Sequence, residues 1–75
     1  MKIKSQAETE MLRKIYPKGT KIILDHMDDM QAPPTGTRGT VIHVDDIGQI
    51  HVNWETGSGL ALIPDEDRFH KEVTE

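Results

Sequence analysis

The chain has 75 residues, a formal net charge of −4 and no cysteine. A chain this short holds one domain with a thin stability margin. The missing thiols exclude disulfides, thiolate metal sites and cysteine nucleophiles, which suits a reducing compartment and makes the cytoplasm the expected location. Met1-Lys2-Ile3-Lys4-Ser5-Gln6-Ala7-Glu8 is charged but leads into no apolar run, which argues against a secretory signal. No stretch reaches the roughly 20 apolar residues of a membrane span, so a soluble protein with no membrane partner is expected.

Residues 5–15 are predicted to form a helix. Ser5 is a good N-cap, and Glu8 three positions on completes a capping box. Ile3, Ala7, Met11 and Ile15 recur every four residues, Leu12 widens the stripe, and Glu10 with Lys14 makes a favourable pair one turn apart. Tyr16-Pro17 ends the helix, because the residue before proline is pushed out of the α region. So short a helix is marginal alone. Its apolar stripe is expected to dock on the chain's own sheet; the alternative is another chain, including self-association through this helix.

From Lys18 onward the period changes to two. Residues 20–27 read as a first strand with Ile22 and Leu24 on one face, and residues 28–36 as a loop that Asp-Asp and Ala-Pro-Pro keep out of a ladder. Residues 37–45 form a second strand with Thr40, Ile42 and Val44 inward, where Gly39 permits a bend or a close backbone approach. In residues 49–55, Ile50, Val52 and Trp54 alternate strictly with polar neighbours. With Asp46-Ile47-Gly48 as a three-residue turn, Asp45 faces Gln49, Val44 faces Ile50, and Ile42 faces Val52. Residues 55–59 are a turn, Leu60 and Leu62 mark a short fourth strand, and residues 64–67 form one helical turn. Residues 68–73 make a final edge strand.

The expected fold is therefore mainly β: a small five-stranded SH3-like barrel preceded by a short N-terminal α-helix. Residues 1–17 are helix and linker, 18–73 the barrel, and 74–75 a frayed tail. The predicted core is Ile22, Leu24, Ile42, Val44, Ile50, Val52, Trp54, Leu60 and Leu62.

Tyr16-Pro17-Lys18-Gly19-Thr20, His26-Met27-Asp28-Asp29, Gln31-Ala32-Pro33-Pro34, Gly36-Thr37-Arg38-Gly39-Thr40-Val41, Val44 through Val52 with Trp54, Leu60-Ala61-Leu62-Ile63-Pro64 and Asp67-Arg68-Phe69 follow one another in order. Over about residues 16–69 they resemble the bacterial and phage family called domain of unknown function 4314. The resemblance implies an SH3-like barrel, common in phages and mobile elements, with no assigned activity and no catalytic residues to carry over. It also implies that the helix before Tyr16 lies outside the shared core.

Chemistry-bearing residues are sparse. His43 and His51 face each other across the second and third strands, but Val41, Asn53 and Asp45 are a poor set to complete a zinc site, so no metal and no cofactor is expected. An up-and-down path gathers Asp45, Asp46, Asp65, Glu66 and Asp67 at one end, and Asp28, Asp29 and Glu55 with a partly exposed Trp54 at the other. Either end could meet a basic partner surface, or imitate phosphates, or simply be solvated turn. Asp28, Asp29 and Asp45 are placed to accept backbone amides in their turns, and Asp67 to pair with Arg68. Arg13, Lys14, Lys18 and Lys21 form a modest basic cluster with only Tyr16 to stack on.

There is no phosphate-cradling glycine loop, zinc-protease motif, nucleophile elbow or dinucleotide fingerprint, and a barrel this small is expected to lack a cleft of a few hundred Å3. The sequence thus reads as a non-enzymatic interaction module whose partner is another protein. One alternative is a small acidic phage-type inhibitor of a host defence or nuclease complex. A second is weak nucleic-acid binding through the basic helix face, which the overall negative charge opposes.

Overall fold

The computed structural model describes residues 5–73. Helix α1 (Gln6–Ile15) starts at the predicted capping box: Ser5 Oγ accepts from the Glu8 amide and Glu8 Oε1 from the Ser5 amide, both at 3.2 Å. It stops at Tyr16, whose amide donates to the Leu12 carbonyl. Among the described residues four strands follow: β1 (Lys21–His26), β2 (Arg38–Val44), β3 (Ile50–Trp54) and β4 (Arg68–Lys71). They form one antiparallel sheet in the order β3-β2-β1-β4, so the last strand pairs with the first.

The fold is mainly β as expected, but the sheet is open and four-stranded rather than a five-stranded barrel. Leu60 and Leu62 do not form a strand. The Leu60 carbonyl accepts the indole N–H of Trp54 at 2.9 Å and its amide bonds Ser58 Oγ, which takes its backbone out of any ladder. Only Leu62 bridges to Ile50, with bonds of 2.7 and 2.9 Å. The predicted helical turn is a hydrogen-bonded turn in which the Glu66 and Asp67 amides both donate to the Ile63 carbonyl.

Among the described residues the core is Ile22, Leu24, Val41, Val44, Ile50, Val52, Trp54 and Leu62, with Leu12, Tyr16, Met27 and Phe69 packed against it. Each such aliphatic contributes about 1.5–3 kcal/mol when removed from water. Two predicted members are displaced. Leu60 is half-buried, and Ile42 is exposed. A β-bulge explains Ile42: Val41 pairs Val52 and His43 pairs His51, so β2 has one more residue than β3 between these pairs. Val44 facing Ile50 and the turn beyond are as predicted, while the expected Ile42–Val52 pairing slips by one and Val41 takes the inward place. Thr40 turns away from the core with Ile42 and receives the Lys21 ammonium at 2.8 Å.

Two glycines matter here. Gly48 has φ 86° in the left-handed region, as the three-residue turn requires. At Gly39 a Cβ would overlap Val52 Cγ1 and lie 2.7 Å from Trp54 Cε3, so only a glycine lets the indole lie against β2. Trp54 is accordingly fully buried, not partly exposed.

Helix α1 lies beside β2, but of the predicted stripe's described residues only Leu12 packs against the core. Thr9 is buried and Leu12 and Tyr16 are half-buried, while Ala7, Met11 and Ile15 face away. Arg13 explains the orientation: its Nε donates to the Val44 carbonyl at 3.1 Å and its guanidinium pairs with Asp46 at 3.0 Å. Tyr16 adds a tilted ring contact to Phe69 of β4 at 5.3 Å. Ile3 and the predicted frayed tail, residues 74–75, lie outside the described residues.

Candidate functional site: an acidic cleft beside strand β1

Pairing of β4 with β1 sets His26 opposite Arg68. The residues just after His26 and those just before Arg68 must therefore lie side by side. They form the walls of a cleft of about 470 Å3, lined by Asp28, Asp29, Glu66 and Asp67 over an apolar floor of Met27, Leu60, Ala61 and Ile63. The expectation that so small a domain has no cleft of a few hundred Å3 is thus corrected. No lysine, arginine or histidine is among the lining residues, so one sign of charge surrounds the opening.

Local bonds aim two of these carboxylates. Asp29 Oδ1 accepts the Gln31 amide at 2.7 Å, closing a turn on its own side chain. Asp67 Oδ2 accepts the Ile63 amide at 2.8 Å, which replaces the expected ion pair with Arg68. Each leaves its second oxygen for solvent or a ligand.

The structure redistributes the predicted acidic sites. Asp28 and Asp29 were expected at the opposite end from Glu66 and Asp67, and instead share this cleft with them. Glu55 is exposed and outside the cleft, its amide donating to the Arg38 carbonyl at 2.9 Å. Asp65 lies instead beside Glu8, lining the grooves near helix α1. Asp45 and Asp46 sit at the β2–β3 turn, where they have structural partners. Asp45 Oδ1 accepts the Ile47 and Gln49 amides at 3.1 and 2.9 Å, and its Oδ2 accepts Nε2–H of His51 at 2.8 Å. Burial by itself would raise the Asp45 carboxyl, but the His51 and amide hydrogen bonds outweigh it and hold the pKa below the ordinary 3.8.

His43 and His51 face each other as predicted, but their rings stack at 4.4 Å and 12° rather than converging on a common point. Among the described residues no group of three or more His, Asp or Glu side chains is placed to hold a metal ion.

The basic cluster is partly spent. Arg13 is held by Val44 and Asp46, and Lys21 reaches Thr40. Arg13 and Lys18 do line a shallow hollow with Tyr16, Ile42 and His43; Lys14 and Lys21 are outside it.

Sequence reasoning missed Met27, Leu60, Ala61 and Ile63 as cleft residues. The signal that could have found them was the pairing of the first strand with the last, which the up-and-down path left out.

A family profile described as Domain of unknown function (DUF4314) matches residues 5–72. The match starts at Ser5, so helix α1 belongs to the shared region, contrary to the expectation that it lies outside. No curated protein and no solved structure matches significantly. Among the described residues no helix is long and apolar enough to cross a membrane.

Proposed function

The chain belongs to the family described as Domain of unknown function (DUF4314), and we propose that it is a non-catalytic interaction module whose acidic cleft grips a basic segment of another protein. The observation that carries this reading is the cleft's composition: four carboxylates from two chain segments surround an apolar floor, and no cation neutralises them from within. A lysine or arginine stem would lie on Met27, Leu60 and Ile63 while its head reaches Asp28, Asp29, Glu66 or Asp67. An extended segment carrying one apolar and one or two basic side chains fits both parts.

A related reading makes the module an inhibitor that offers the same carboxylates to a nucleic-acid-binding groove. It is supported by the gathering of Asp28, Asp29, Glu66 and Asp67 on one side, and it predicts competition with nucleic acid for the target. Direct nucleic-acid binding is the weakest of the three, because the Arg13 guanidinium is already paired with Asp46.

The test is titration of the domain with an array of Lys- and Arg-containing peptides at low ionic strength. Binding that weakens with salt and disappears in Asp28→Lys/Glu66→Lys supports the cleft. Absence of binding to every basic peptide, or binding indifferent to the double charge reversal, overturns it.

A further inference from the structure

The four carboxylates of the cleft are not equivalent acceptors. Asp29 has Oδ1 tied to the Gln31 amide at 2.7 Å, and Asp67 has Oδ2 tied to the Ile63 amide at 2.8 Å. A backbone amide on one oxygen fixes the plane of the group and turns the other oxygen outward as its open acceptor. The two stand on opposite walls, since Asp29 follows β1 and Asp67 precedes β4. Asp28 and Glu66 are exposed, and no amide among the described residues aims their carboxylates. The cleft thus has two preset single oxygens within it and two whole carboxylates at its rim.

We propose that the cleft selects lysine over arginine, with Asp29 and Asp67 as the residues that make the choice; this deepens the cleft reading above and rests on it. The two cations carry the same charge, so the selection comes from acceptor geometry. A guanidinium gains its advantage from two parallel N–H bonds to both oxygens of one carboxylate. At Asp29 and Asp67 that fork would have to share an oxygen with a backbone amide. An ammonium is a compact charge with three donors that takes single oxygens from different directions. It can accept one oxygen from each wall while its stem lies on the apolar floor. Both oxygens are set in place before binding, so little freedom is lost in using them. Asp28 and Glu66 take either cation and add attraction without choice. The same geometry makes capture sensitive to modification of the partner's lysine. Acetylation removes the charge, and trimethylation keeps the charge but removes every N–H.

Calorimetric titration of the full chain at low ionic strength tests it, with peptides identical except for one residue: lysine, arginine, acetyl-lysine or trimethyl-lysine. The lysine peptide should bind about five-fold more tightly than the arginine peptide, the scale of one hydrogen bond. Trimethyl-lysine should fall to the arginine level or below, and acetyl-lysine should bind most weakly. Asp29→Asn and Asp67→Asn each keep an oxygen for the Gln31 or Ile63 amide, so the urea midpoint should hold while the preference for lysine disappears. Asp28→Asn should weaken both peptides alike. Arginine bound as tightly as lysine, trimethyl-lysine bound as tightly as lysine, or a preference that survives both Asn variants overturns the selection and leaves the cleft reading standing. No binding of any of the four peptides overturns the cleft reading and the selection together.

Discussion

The β2–β3 turn and the cleft beside β1 are both acidic, yet their carboxylates do different work. At the turn, Asp45 accepts three hydrogen bonds and Asp46 pairs with Arg13 of the helix. Asp45 fastens the hairpin to itself, while Asp46 meets the helix only through a solvent-exposed pair. At the cleft, Asp29 and Asp67 each commit one oxygen to a nearby amide, and the opening is lined by no cation. Acidity in a small domain is therefore not one property: its use depends on whether donors lie within reach.

Substitutions can break this contrast, and the largest effect belongs to the scaffold that holds the hairpin flat against β2. Gly39→Ala forces a Cβ onto Val52 and Trp54 and should cost about 3 kcal/mol, lowering the melting temperature by roughly 15 °C in a domain of this size. Asp45→Ala strands the Ile47 and Gln49 amides and should cost about 2 kcal/mol, read from the urea midpoint. Asp28→Asn in the cleft should leave that midpoint unchanged within about 0.5 kcal/mol while weakening capture of a basic peptide. Equal stability losses at Asp28 and Asp45 would erase the distinction between the two regions.

Acid titration sharpens it further. The native pKa of Asp45 is depressed below 3.8, so its contribution to stability is in full force above the unfolded value of about 3.9. It fades as pH falls through the lower folded value. The stability gap between wild type and Asp45→Asn should accordingly be constant near neutrality and shrink on acidification below about pH 4. The smallest effect is expected at Asp46→Asn: its carboxylate is fully exposed, so the melting temperature should not move measurably even though the Arg13 pair is lost.

The same two regions differ in how far they could be read from residues alone. Ser5 with Glu8, and Asp46-Ile47-Gly48 between Val44 and Ile50, are local devices whose partners lie within a few positions, and both have the predicted geometry. The bulge at Ile42 breaks the alternation without a glycine or proline to announce it, so Val41 and Ile42 were exchanged between core and surface. The helix docks through other residues for a related reason. Counting apolar residues favoured Ala7, Met11 and Ile15 with Leu12 beside them, whereas of these only Leu12 packs on the core, joined by Thr9, Tyr16 and the Arg13 bond to Val44. The cleft is the least local feature of all, since it depends on β4 crossing to β1. Four residues, Arg68–Lys71, carry too little pattern to reveal that partner.

Mapping amide shifts of the labelled domain as a Lys- and Arg-containing peptide is added tests the central contrast most directly. The account predicts salt-sensitive changes concentrated at residues 27–29 and 60–67, with the amides of Ile47, Gly48 and Gln49 at the Asp45 turn unmoved. Changes centred on the Asp45 turn, or spread evenly over every exposed acid, would contradict it.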